Sequence, residues 1–202
     1  MPIIIIDGSD VGNSCAAYVR GLASDVTTVV SLGYNIGHGR GMCMGIDKAR
    51  TKYALIFDSD IEMLKSPIET MLAMMEADTF GVGAVDEKAD FNRFAHEKHG
   101  RVEGFVRYLQ PYFQLIDIGN YKKFYPYVHH GAPCYLTMLD IHKKGLSGKI
   151  IKAFPGLAQF GPEGAEFPGE YVLHHYATTR QFRTSKRLPD IEGAWILNEG
   201  LV

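Results

Sequence analysis

Apolar runs alternate with amphipathic stretches along the first 86 residues of the chain. Four runs are continuous and rich in β-branched residues, as in buried strands: IIIID at 3–7, VTTVVSL at 26–32, YALIF at 53–57 and FGVGAV at 80–85. Three stretches between them space their apolar residues as helices do: 13–22, 37–49 and 66–77. Strands that alternate with helices predict an α/β fold, a mostly parallel central sheet with helices on both faces.

The third helix has a predicted start. Ser66 is placed as its N-cap, Pro67 as its first helical residue and Glu69 as the partner that completes a capping box.

The second half of the chain has a different character. Residues 87–128 are rich in aromatic and charged side chains without a clean period, which favours short strands and loops. GAPCYLTML, at 131–139, predicts a strand that leads into a short helix at 140–145. Residues 154–170 hold three prolines and four glycines, which predicts an ordered loop or a mobile flap outside the core. YVLHHYATT, at 171–179, predicts a late strand.

Composition restricts the class of protein. With 202 residues, 46% of them apolar, and a net charge of −2, the chain fits one globular domain and gives no reason to expect a nucleic-acid partner. Three widely spaced cysteines argue against a disulfide framework and suggest a reducing compartment. No run resembles a signal peptide or a membrane span. We therefore expect a cytoplasmic protein, and a homo-oligomer is compatible with the sequence.

Two aspartates follow the third predicted strand. Asp58 and Asp60 flank Ser59 directly after YALIF, and residues two apart in an extended segment point the same way. Paired carboxylates are hard oxygen ligands for Mg²⁺ or Mn²⁺, whose remaining positions phosphate oxygens can fill. The simpler alternative is a loop with two solvated acids.

Two further polar clusters follow the first and second strands. Asp7 ends the first strand, and Asn35 precedes a helix opened by Gly37, Gly39 and Gly41. Glycines allow close backbone approach, and a helix N-terminus favours anions, although the spacing is not that of a dinucleotide-binding loop. Ligands of parallel sheets bind at the carboxyl ends of the strands, so all three clusters are expected at one edge.

The order of IIIIDGSD, NIGHGRGMCMGIDKA and YALIFDSDIEM resembles the GT-A nucleotide-sugar glycosyltransferases, specifically family 2. Several residues lie at the family spacing: Asn35, Gly37, Gly45, Ile46 and Ala49. The resemblance covers residues 3–64 well. GVGAV, HHGAPCYLTML and YVLHHYATTR match later family segments more loosely.

The resemblance implies a single GT-A-like domain over 1–202, with a nucleotide-sugar half at 1–86 and an acceptor half at 87–202. It implies metal-dependent transfer from a nucleoside-diphosphate sugar, with UDP favoured, to an acceptor hydroxyl that the sequence does not name. The implied nucleotide contacts are Asp7, Gly8, Ser9, Asn35, Gly37, Arg40, Asp58, Ser59 and Arg180. The implied ligands of Mn²⁺ or Mg²⁺ are Asp58, Asp60 as the firmer one, and His174 or His175.

Departures from the family pattern leave some roles open. The family usually has one more strand before IIIIDGSD, and Cys43 stands where the family often has asparagine. Three acids are candidates for the catalytic base: Glu163, Glu166 and Asp86. The basic run at 180–187, which includes Arg180, is either solvated surface or a source of positive charge for the leaving diphosphate.

Two other functions remain open at this point. LIFDSDIEML also fits the first motif of haloacid-dehalogenase-like phosphatases, but Glu62 stands where they carry threonine or valine, and two strands precede the motif. A nucleotide-sugar-binding domain without turnover is the other alternative.

Overall fold

The computed structural model describes residues 1–89, 105–128, 132–157, 159–160, 166–167 and 169–174. The strands are β1 Ile3–Asp10, β2 Thr27–Gly33, β3 Tyr53–Phe57, β4 Ile61–Met63, β5 Gly81–Ala89, β6 Val106–Asp117, β7 Ile151–Ala153, β8 Gln159–Phe160, β9 Glu166–Phe167 and β10 Val172–His174. The helices are α1 Ser14–Arg20, α2 His38–Lys48, α3 Ile68–Ala73, α4 Ile118–Tyr121, α5 Tyr135–Lys143 and α6 Ser147–Ile150. The predicted α/β fold class is confirmed.

The start of the chain follows the predicted alternation. β1 pairs with β2 in parallel, with Ile3 opposite Thr27. Between them, α1 begins after Asn13, whose side-chain oxygen accepts a hydrogen bond from the Cys15 backbone at 2.8 Å. This cap satisfies one of the amides that a helix leaves without an internal partner.

The predicted capping box of the third helix is wrong. α3 begins one residue later than expected, with Pro67 in the N-cap position and no side-chain cap. Met71 donates the first helical hydrogen bond to the Pro67 carbonyl at 2.9 Å, so Ser66 lies one residue too early to cap the helix.

The expectation of short strands in 87–128 is wrong for β6, which has 12 residues. β6 pairs antiparallel with β3 and with β5, and β5 pairs parallel with β7, which gives the sheet order β3-β6-β5-β7. The central sheet is therefore mixed. Most of β6 is buried, so its sequence lacks the apolar–polar alternation of a strand with one wet face.

GAPCYLTML, predicted to be a strand, lies largely in helix α5. Tyr135, Met138, Leu139 and Ile141 are all buried, and Met138 donates to the Cys134 carbonyl at 2.9 Å. When a short apolar segment is buried on most sides, the period of its apolar residues cannot distinguish a helix from a strand.

Helices cover both faces of the four-stranded sheet. Neighbouring residues of a strand point to opposite faces, and Leu115 and Ile116 of β6 belong to different core clusters. The cluster around Ile116 includes residues of α2 and α5, and the cluster around Leu115 includes Met71 of α3.

Helix α2 connects the β1–β2 pair to the larger sheet. On one side Gly41 and Gly45 face Ile6 of β1, at 3.8 and 3.6 Å from the positions that their Cβ atoms would take. On the other side Met42 and Ile46 pack in the core of the larger sheet. α2 therefore fixes the carboxyl end of β1 relative to that of β3.

The Gly/Pro-rich segment 154–170 contributes to the core at its start. Phe154 and Leu157 are buried, and Gly156 makes the turn between them with φ +87°. The expectation that this segment lies outside the core is therefore wrong for these two side chains. Within the part of the chain that the structure describes, no helix is long and apolar enough to cross a membrane.

Candidate functional site

Asp7 lies near the carboxyl end of β1 and is buried. Its Oδ1 accepts a hydrogen bond from the Ser9 backbone at 2.9 Å, and its Oδ2 accepts one from the Ser31 hydroxyl at 3.2 Å. Hydrogen bonds from Ser9, and then from Ser31, lower the pKa of this carboxyl against the opposing effect of burial. Asp7 is therefore an oriented, ionised acceptor at neutral pH.

Asn35 shapes the turn that opens α2. Its Oδ1 accepts a hydrogen bond from the Gly37 backbone at 2.8 Å, and Gly37 has φ +86°, a conformation that favours glycine. A Cβ atom on Gly8 would lie 3.4 Å from the Asn35 Cα and 3.4 Å from the Tyr34 carbonyl oxygen. The first two predicted clusters are therefore in contact, as expected for one edge.

His38 joins the second cluster to the third. Its Nε2 lies 2.9 Å from Oδ1 of Asp58, and both side chains are about two-thirds buried. The backbone N–H of Asp58 donates to the Tyr112 carbonyl of β6 at 3.0 Å. His38 was not among the site residues predicted from the sequence. Its place at the first residue of the glycine-opened helix was the available signal.

The two aspartates do not lie in an extended segment, and this correction changes how they relate to each other. The Ile61 N–H donates to the Asp58 carbonyl at 3.3 Å, which closes a turn of four residues around Ser59 and Asp60. The alternation of side chains along a β-strand therefore does not determine where the Asp58 and Asp60 side chains point. Ser59 is exposed and Asp60 is partly buried.

β10 runs beside this turn. It pairs antiparallel with β4, with His174 opposite Ile61, so the backbone of residue 174 lies level with the residue after Asp60. The segment is anchored because the Tyr171 carbonyl accepts hydrogen bonds from residues 64 and 65 at 2.8 and 3.1 Å. The structure does not describe the His174 side chain, and His175 lies outside the described residues.

The other predicted site residues are only partly placed. Asp86 is exposed on β5, opposite Tyr108 of β6. Glu166 lies in β9, where only the backbone is described, and Glu163 and Arg180 are outside the described residues. The roles of these four residues stay predictions.

Arg40 lines a cavity on the flank of α2. The cavity has a volume of about 730 Å³ and is also lined by Cys43, Asp47 and Arg50. His38 contacts Asp58, and Arg40, two residues later on α2, lines this cavity. The predicted nucleotide contact of Arg40 therefore stays a prediction.

A buried polar network lies close to Asp58. The Tyr127 hydroxyl donates to Gln114 Oε1 at 2.8 Å, and Gln114 Nε2 donates to the Cys134 sulfur at 3.5 Å. Burial raises the pKa of the Cys134 thiol to about 12, and the negative charge of Asp58 acts in the same direction. Cys134 is therefore a thiol with a structural role, not a nucleophile.

Asp58 and Asp60 supply the carboxylate oxygens that Mg²⁺ and Mn²⁺ prefer. Among the described residues, no group of three or more His, Cys, Asp or Glu side chains could hold a metal ion. Mg²⁺ needs no such cage, since proteins usually hold it through one or two carboxylates together with waters and substrate phosphates. Two carboxylates at the edge of a sheet fit a cation that arrives with a diphosphate.

Comparison with known proteins agrees with this geometry. The chain matches the family model described as glycosyl transferase family 2 over residues 2–138, which is more than half of its length. The match includes Asp7, the α2 region and both aspartates of the turn, and it extends beyond the resemblance predicted for residues 3–64. No curated protein gives a significant match. The chain belongs to glycosyl transferase family 2.

Proposed function

We propose that this glycosyltransferase takes a nucleoside-diphosphate sugar, with UDP as the preferred nucleotide, and transfers the sugar to an acceptor hydroxyl with the help of Mn²⁺ or Mg²⁺. The observation that carries the proposal is a series of neighbouring contacts. Gly8, the residue after Asp7, lies against Asn35, whose side chain accepts a hydrogen bond from Gly37. His38, the next residue and the first of α2, contacts Asp58. This series supports a binding edge at which Asp7 would accept from the base, the N-terminus of α2 would bind phosphate, and the carboxylates of Asp58 and Asp60 would hold a cation.

Asp7 is the proposed base contact. An ionised carboxylate only accepts hydrogen bonds, so it favours a base that carries an imide N–H, as uracil does. The contacts from Ser9 and Ser31 leave lone pairs on both oxygens for such a donor. Because the carboxylate is already oriented, binding costs little further ordering.

The N-terminus of α2 and the turn after β3 are proposed to bind the diphosphate. Backbone N–H groups at a helix N-terminus favour anions, and the glycines let phosphate approach the backbone closely. Asp58 and Asp60 would hold the cation, and His174 or His175 is proposed from the sequence as a third ligand. When bound, the cation neutralises charge on the diphosphate.

The acceptor side of the proposal rests on sequence. Glu163, Glu166 and Asp86 remain the candidates for the base that takes the proton of the acceptor hydroxyl. Arg180 is proposed to stabilise the negative charge that develops on the leaving diphosphate. A positively charged side chain such as Arg180, which acts mainly as the bond between sugar and diphosphate breaks, raises turnover more than it raises donor affinity.

Donor turnover tests the proposal. The protein is incubated with a panel of UDP- and GDP-sugars and mixed acceptors, with Mn²⁺ or with EDTA, and nucleoside diphosphate release is measured. We expect release with UDP-sugars and Mn²⁺, at least about 100-fold slower release in EDTA, and the same loss in Asp60→Asn. Asp140→Asn, which alters a surface ion pair of α5, is the matched control.

Other outcomes would support the alternatives. Donor binding without turnover for any acceptor would indicate a binding domain. Phosphate release from phosphomonoesters, with no use of sugar nucleotides, would indicate a phosphatase and contradict the proposal.

A further inference from the structure

We propose that His38 is a positioning residue that holds the Asp58 carboxylate in the orientation in which it meets the cation and the diphosphate. This inference rests on the proposed function. His38 was not among the site residues predicted from the sequence or from the family resemblance.

The position of the His38 ring follows from the turn before it. The hydrogen bond from Gly37 to Asn35 and the positive φ of Gly37 fix the direction in which α2 starts, and His38 is its first residue. The next residue, Gly39, is buried, so the first turn of the helix sits tightly against the protein. The imidazole therefore approaches Asp58 from a rigid element.

The backbone of Asp58 is fixed independently. Its N–H donates to the Tyr112 carbonyl at 3.0 Å, and its carbonyl accepts from Ile61 at 3.3 Å. The remaining freedom of Asp58 is rotation of its side chain. The contact at 2.9 Å between His38 Nε2 and Oδ1 removes that freedom and leaves Oδ2 for another ligand.

A purely stabilising role explains this pair poorly. The His38 and Asp58 side chains are 30% and 27% exposed, and ion pairs that reach solvent contribute little to folding. A hydrogen bond that orients a metal-binding side chain can change metal affinity 10- to 100-fold. The geometry of the pair therefore has a larger effect on binding than on folding.

Side-chain geometry gives a selective test. The amide nitrogen of glutamine can take the place of imidazole Nε2, whereas the amide nitrogen of asparagine takes that of Nδ1. Because the contact uses Nε2, His38→Gln should keep it, and His38→Asn and His38→Ala should lose it. His142→Gln, in the last turn of α5, is the matched control.

The measurement is the affinity for Mn²⁺ in the presence of UDP, read from the EPR signal of unbound Mn²⁺. We expect His38→Ala and His38→Asn to bind Mn²⁺ at least about 10-fold more weakly than wild type. We expect His38→Gln to stay within about threefold and His142→Gln to match wild type. The melting temperatures of all variants without ligand should stay within about 3 °C of wild type.

The possible failures are distinguishable. If wild type binds Mn²⁺ with UDP and all His38 variants bind it equally well, or if glutamine is no better than asparagine, the positioning role is wrong and the proposed function stands. If the melting temperature falls in step with affinity in every variant, His38 is structural and the inference is overturned. If wild type itself binds no Mn²⁺ with UDP, the proposed function fails together with the inference.

Discussion

Asp58→Asn separates folding from ligand binding at the centre of the site. The asparagine oxygen can still accept the hydrogen bond from His38, so the substitution removes the charge and keeps the shape. The pair is about two-thirds buried, and ion pairs that reach solvent contribute about 0–1 kcal/mol. Without ligand, we therefore expect a loss of less than about 1 kcal/mol in the free energy of unfolding.

The effect on ligand-linked stability should be larger. A ligand at 100 times its dissociation constant adds about 2.7 kcal/mol to the stability of the folded state. For a chain of this size, 1 kcal/mol corresponds to about 2–4 °C in melting temperature. Wild type with UDP and Mn²⁺ should therefore melt about 5–11 °C higher than without ligand. Asp58→Asn should lose most of this shift.

Differential scanning fluorimetry of both proteins, with UDP in Mn²⁺ or in EDTA, measures these quantities. Asp140→Asn is the control, because Asp140 forms a surface ion pair with Lys144 at 2.9 Å within α5. It should keep the full ligand shift. An equal ligand shift in wild type and Asp58→Asn, or a loss of more than about 3 kcal/mol without ligand, would refute the reasoning.

Three further predictions concern the framework of the site. Asp7→Asn should be less stable than wild type, by an amount that is constant above about pH 5 and disappears as the pH falls through the lowered pKa of Asp7, since only the ionised acid gains from its hydrogen bonds; urea unfolding at pH 2.5–7 measures this difference. Gly83→Ala should cost about 1–3 kcal/mol in thermal unfolding, because its Cβ would lie 2.6 Å from the Phe113 carbonyl oxygen. Tyr127→Phe should cost about 1–3 kcal/mol in urea unfolding, because it removes the donor at 2.8 Å from the buried Gln114 oxygen.

Each of these predictions has a contrasting outcome. A difference between Asp7→Asn and wild type that grows on acidification would show that the sign assigned to its pKa is wrong. Gly148→Ala is the control for Gly83, since nothing lies within 4 Å of the added Cβ in helix α6, and it should stabilise by up to about 1 kcal/mol. Tyr18→Phe is the control for Tyr127, since Tyr18 is 70% exposed, and equal costs for the two would contradict the role of the network.

The sequence predicted the first part of the fold because its signals are local there. The isoleucine run of β1 and the glycines before α2 set local conformation by themselves, and the structure agrees with both. β6 escaped prediction because β3 and β5 pair with it on both edges and most of its side chains are buried. Burial of this kind removes the alternation on which strand prediction depends.

Part of the candidate site could also be predicted from local sequence signals. Asp7 and Asn35 could be found because each comes shortly after an apolar run, and the structure brings their neighbourhoods into contact. The contact between His38 and Asp58 joins residues 20 positions apart, and only tertiary packing reveals it. The extended backbone expected for Asp58 and Asp60 was wrong, because a turn and not a strand contains them.

The most direct test of the account is a crystal structure of the protein with UDP and Mn²⁺, with the metal located by anomalous diffraction at the manganese edge. We expect one manganese peak within coordination distance of the carboxylates of Asp58 and Asp60, with the diphosphate beside the start of α2 and the base against Asp7. A manganese peak away from both aspartates, or UDP bound away from Asp7, would contradict it.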